Sequence, residues 1–146
     1  MENENTLLNQ AQKNSVSIAL RLLEENIFRI RLILAQRSYN GHLYSFRVDL
    51  DDDQISNLQE IFDNILERIT AAKKGLNLIS TNDLLSQSLN GSASYFWSVL
   101  IDEKSEKLKR YGDVSPFLKQ ELDPTIDQII TLLNRMTAVL KKSGKT

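Results

Sequence analysis

Near its start the chain alternates apolar and other residues with period two in three successive stretches. Val16, Ile18, Leu20 and Leu22 are separated by Ser17, Ala19 and Arg21. Phe28, Ile30, Leu32 and Leu34 are separated by Arg29, Arg31 and Ile33, and Tyr44, Phe46, Val48 and Leu50 by Ser45, Arg47 and Asp49. This period places one set of side chains on each face of a strand. Glu24-Glu25-Asn26 reads as a polar turn, and Asn40-Gly41 as a hairpin turn because both residues tolerate positive φ. The expectation is a three-stranded antiparallel β-meander over about residues 15–50.

A helical reading competes over the first two stretches. Val16, Leu20, Leu23, Ile27, Ile30 and Leu34 recur at spacings of four and three, which is also a helix stripe. On that helix Ile18, Phe28 and Leu32 would project from the polar side. The strand reading accommodates them, so the sheet is preferred and an all-α bundle is the alternative.

Helices follow. Asp51, Asp52 and Asp53 suit a helix start, where side-chain acceptors and negative charge meet unpaired amides. Ile55, Leu58, Phe62, Ile65, Ile69 and Ala72 then keep helical spacing, and Lys73-Lys74-Gly75 reads as a basic last turn with a glycine cap. Thr81 is expected to cap a short helix ending at Asn90-Gly91, with another helix from about Ser92 to Tyr111 and a single turn at Pro116. Asp123 followed by Pro124 reads as the start of a last helix carrying Ile126, Ile130, Leu133, Thr137 and Leu140. The expected architecture is a single α+β domain over 1–146, a meander packed against about four helices. Residues 1–14 are expected to form a loosely attached arm and 141–146 a frayed tail.

Composition narrows the class. The chain is 41% hydrophobic and 25% charged, as ordinary globular proteins are. It has no cysteine, which removes disulfides, thiol nucleophiles and Cys-ligated zinc. The polar, acidic start and the short apolar runs predict a cytoplasmic protein with no membrane association. The net charge of −1 is unevenly spread: the segment 15–48 carries five of the arginines and no lysine.

That segment supplies the first candidate site. On the expected sheet Arg21, Arg29, Arg31, Arg37 and Arg47 share the exposed face, and guanidinium groups bind phosphates and carboxylates bidentately. Such a face suits an acidic protein partner or a nucleic acid. Nucleic-acid sheets also present stacking aromatics, and here only Tyr39 has the right parity. The second candidate is Tyr95-Phe96-Trp97-Ser98-Val99-Leu100-Ile101, whose apolar groups point around a whole helix circumference. Such a helix is either enclosed by its own domain or completed by another chain, and Tyr95, Phe96, Trp97 and Ile101 are the candidates for an oligomer interface, where aromatics are enriched.

No catalytic set stands out. His42, the only histidine, sits beside the proposed turn with no recognisable nucleophile motif around it. Arg37 and His42 have the Arg-x4-His spacing that resembles the helical HEPN ribonucleases, but two residues straddling a hairpin carry no activity across. The Asp51-Asp52-Asp53 run lacks the glycine-containing calcium loop, and the five glycines form no phosphate-binding loop. No catalytic residue, metal or cofactor is assigned. The expected function is a non-catalytic protein-interaction or assembly module that self-associates, with nucleic-acid binding through the arginines as the runner-up.

Overall fold

The computed structural model describes residues 7–143, with side-chain surroundings to Lys141. The chain divides into two compact units, Met1–Thr81 and Asn82–Thr146. Among the described residues it is mostly helical with one small two-stranded antiparallel sheet.

The first unit is a helix, a hairpin and a helix. Helix α1 (Gln10–Gln36) runs through the positions expected to form two strands. Its start is closed by a capping box: Asn9 Oδ1 accepts from the Gln12 amide at 2.8 Å, and Gln12 Oε1 accepts from the Asn9 amide at 2.9 Å. No glycine or proline interrupts the segment, and Glu24-Glu25-Asn26 continues the helix instead of turning. The helical stripe is the one that faces inward, with Ile27 and Leu34 buried. Ile18, Phe28 and Leu32, which the strand reading was meant to accommodate, project outward at 50%, 66% and 56% exposure. The three-stranded meander is thus corrected to one long helix, at the expense of uncovered apolar side chains. Residues 10–14 of the expected arm belong to this helix, while residues 1–6 lie outside the described residues.

The hairpin is the part of the meander that forms. Strands β1 (Ser38–Asn40) and β2 (Ser45–Arg47) pair in the register Ser38↔Arg47, Tyr39↔Phe46, Asn40↔Ser45. The loop is Gly41–Tyr44, closed by the Gly41 amide donating to the Tyr44 carbonyl at 2.9 Å. Neither Asn40 nor Gly41 has positive φ, so the expected reason for the Asn-Gly pair does not hold. Glycine is needed for space: a Cβ at position 41 would lie 2.5 Å from the Tyr44 carbonyl oxygen and 2.6 Å from Tyr39 Cε1. The left-handed residue is instead Arg37, at the end of α1, with φ 72°.

Helix α2 (Asp52–Gly75) returns along α1. Asp51 and Gln54 form its capping box, with Asp51 Oδ1 accepting from the Gln54 amide at 2.8 Å. The core gathers Ile27, Leu34 and Phe62, with Ile30, Val48, Leu50, Ile55, Leu58, Ile65 and Leu66 packed on it. Gly75 is the last helical residue and not the cap. The stop lies two residues on, where Asn77 adopts φ 56° and the Leu78 amide donates to the Lys73 carbonyl at 2.9 Å. This is the six-to-one bond of a Schellman end, and the following Leu78 is buried.

The second unit is built on α3 (Leu85–Ile101) and α5 (Leu118–Ser143), joined through α4 (Ser105–Leu108) and a 3₁₀ turn at Lys109–Tyr111. Helix α3 passes straight through Asn90-Gly91, so the expected break there is absent, and it starts at Leu84 without a side-chain cap. Its chain reverses at 102–104, earlier than the expected end near Tyr111. Helix α5 begins at Leu118, so Pro124 lies inside it and Asp123 is not its cap. Proline cannot supply the amide that the carbonyl four residues back would accept. The apolar row Leu118, Leu122, Ile126 and Ile130, half-buried to buried, carries the helix through that defect. Of the expected tail, residues 141–143 continue α5 and 144–146 lie outside the described residues.

Candidate interaction surfaces

The five arginines do not share a face, because the sheet that would display them does not form. Arg31 lies on the inner flank of α1 and fastens it to α2. Its Nε donates to Gln59 Oε1 at 2.8 Å, an Nη pairs with Asp63, and the guanidinium stands 5.7 Å from the Phe62 ring centre. Arg21 lies within 3.8 Å of Glu25 one turn along the helix, and Arg29 donates to Asn26 Oδ1. Arg37 caps α1 and reaches Asp52 at 3.4 Å, while Arg47 stands exposed on β2. Arg37 and His42 sit at a helix end and in a hairpin loop, which is not the shared helix of the ribonuclease motif.

The hairpin brings together an aromatic cluster that strand parity had separated. Pairing Tyr39 with Phe46 across the strands puts both rings on one side, and the tight loop adds Tyr44. The three ring centres are 6.1–6.2 Å apart. Tyr39 and Tyr44 are exposed, and Leu43 at the loop tip is fully so. The cue in the sequence was Gly41, which fixes the loop length and hence which residues pair.

Outer α1 is the second surface. Ile18, Leu22 and Leu32 fall within a narrow arc of the helix with Phe28 on its edge, opposite the buried Ile27 and Leu34, and all four are at least half exposed. The third is the aromatic stretch of α3. Tyr95, Phe96 and Trp97 are 63%, 50% and 46% exposed, and Tyr95 meets Phe96 edge-on at 5.1 Å. Ile101 is half-buried. The face of α3 that packs on α5 is marked by the small, buried Ala93.

A polar corner holds α4 to α5. Asp123 Oδ1 accepts from the Ser105 amide at 2.8 Å and Oδ2 from the Ser105 hydroxyl at 3.0 Å, while Lys104 pairs with Asp127 at 2.6 Å. The Ser105 amide holds the Asp123 carboxyl below its ordinary pKa, and the Asp127 bond raises that of Lys104. These groups are saturated by one another and by a helix end, which is a structural use. Among the described residues no cluster of three or more His, Asp or Glu side chains can hold a metal ion. No described helix is long and apolar enough to cross a membrane. Compared with protein families, curated proteins and solved structures, the chain matches none.

Proposed function

We propose that the protein is a non-catalytic interaction module that presents apolar helix faces to partner chains, a second copy of itself included. One observation carries this reading: among the described residues, large apolar side chains standing in solvent outnumber those in the core. Scattered exposed apolar residues are ordinary, but here they gather on outer α1, on the hairpin and on α3. Aromatic groups, which dominate interface energy, make up two of those three surfaces.

Trp97, the only tryptophan, reports one surface directly. Covering it on association shifts its emission to the blue, and dilution reverses the shift where light scattering shows dissociation. Tyr95→Glu, Trp97→Glu and Phe28→Glu alter exposed positions, so each variant keeps the helical circular dichroism of the parent. At least one of them loses association. A chain that stays monomeric to about 100 µM, and whose interactions in host extract none of these variants alters, overturns the reading.

A further inference from the structure

Helix α5 carries two adjacent apolar stripes, and α3 covers one of them. Ile126 and Ile130 are buried, with Leu133 and Leu140 half-buried beside them. One step around the helix lies a second row: Leu122, Thr125, Ile129, Leu132, Met136 and Val139, spaced 3, 4, 3, 4, 3. That is the a/d pattern of a helix–helix seam. Ile129, Leu132 and Val139 are 41%, 57% and 63% exposed. On the side away from α3 the row is edged by Glu121, Gln128 and Arg135, all exposed.

We propose that this row pairs with the same row of a second copy, the two α5 helices running antiparallel. The spacing reads the same in both directions, so every position finds a partner: Ile129 opposite Leu132, Thr125 opposite Met136, and Leu122 opposite Val139. The charges select the orientation. Along the edge of the row, exposed Glu121 lies in the first half of α5 and exposed Arg135 in the second, while Asp123 and Asp127 lie on the far side of the helix, held by Ser105 and Lys104. Antiparallel pairing sets each half against its opposite. Arg135 of the second copy then comes level with position 126 of the first, about 3 Å along the axis from Gln128 and about 7.5 Å from Glu121. Parallel pairing instead sets this edge against the partner's Ile126, Leu133 and Leu140 edge, where neither Glu121 nor Arg135 meets an opposite charge. The seam runs about 25 Å along the helix, the length over which short antiparallel bundles pack. Antiparallel self-pairing is isologous, so it closes as a dimer and does not propagate.

The inference rests on the reading of the protein as an interaction module, and its test separates the two. The full chain is expected to be a dimer by sedimentation equilibrium. Leu132→Glu, at an exposed position, should raise the dissociation constant at least about a hundredfold with unchanged circular dichroism. Glu121→Arg and Arg135→Glu should each weaken the dimer about tenfold, and the double swap should restore it. Because the protein has no cysteine, Ile129→Cys mixed with Leu132→Cys should cross-link far more readily than either variant alone. A wild-type monomer at about 100 µM overturns the inference. So does cross-linking of each cysteine variant with itself as readily as in the mixture, which marks a parallel pair. A dimer that survives Leu132→Glu but falls to Phe28→Glu removes this interface and leaves the module reading standing.

Discussion

In α2 the carboxylate that receives the first-turn amide belongs to Asp51, three residues from its donor. In α4 it belongs to Asp123, 18 residues downstream and on a different helix. The two hydrogen bonds are chemically alike and have the same length, 2.8 Å. They differ in what must already be folded. The Asp51 bond forms within one turn of chain, together with a reciprocal bond from the Asp51 amide to Gln54. Asp123 reaches Ser105 only when α5 has docked. The first unit is therefore closed at its ends by local devices: two capping boxes and a Schellman stop. In the second, α5 starts on a local bond from the Phe117 amide to Ser115 Oγ, but α4 borrows its cap from α5 and Leu84 gives α3 no side-chain cap bond. Each helix of the first unit carries its own cap; in the second, α4 depends on packing against α5.

The largest test of that contrast is to remove packing where caps are strong. Phe62→Ala should cost about 3–5 kcal/mol, read from the denaturation midpoint of the unit's helical signal, because it empties the centre of the α1–α2 core. If α2 instead keeps its amide protection, local capping dominates and the contrast is deeper than drawn. Gly41→Ala should cost about 1–3 kcal/mol, since backbone and a packed ring both lie within contact distance of the new methyl. Ser105→Ala should cost about 1–2 kcal/mol by removing one of the two bonds to the Asp123 carboxylate.

The borrowed cap also gives the second unit an acid limit. The Asp123 carboxyl titrates below its unfolded value, so the folded state binds fewer protons there. Its contribution is present above the ordinary carboxylate pKa and is lost as pH falls through the depressed one. Protection of the Ser105 amide should fall in that window, and in Asp123→Asn it should not follow the same titration. The smallest effect runs the other way. Gly91→Ala should stabilise by about 0.5–1 kcal/mol, because position 91 lies inside α3 with open space around it. A loss of stability would mean that the glycine serves some close approach not made within the chain.

The same division decides what was legible in the sequence. Helix α2 was readable from Asp51 to Lys74, since its caps, charges and 3.6-residue period are all local. Its stop was missed by two residues because the left-handed position went to Asn77 and not to Gly75. A hairpin near Asn40-Gly41 was readable, but its first strand (Ser38–Asn40, where residues 28–34 had been expected) and its facing were not, since parity was carried through a loop whose length depends on ring packing over Gly41. Helix α1 was misread because two periods fit the same letters. The discriminating evidence was outside the pattern, in Asn9 and Gln12 and in the lack of any breaker up to Gln36. For Asp123-Pro124, a good helix start in isolation, the apolar row from Leu118 onward prevailed over the proline. Of the candidate surfaces, the α3 run was singled out because its number of aromatics is visible in the sequence, and the structure leaves Tyr95, Phe96 and Trp97 exposed. The arginine face dissolved with its sheet, and the second stripe of α5 went unread behind the first.

The hairpin between α1 and α2 also bears on how fast the first unit assembles. Arg31 and Asp63 are 32 residues apart in the chain, and a flexible connector would have to be closed before they meet. The hairpin shortens that search, because the Val48 amide donates to the Arg37 carbonyl and pins the two ends of the connector together. Strand pairing of this size completes in microseconds, so the helices are delivered to each other nearly in register. A defect at Gly41 should accordingly slow refolding more than it speeds unfolding, which places the hairpin in the transition state and not after it.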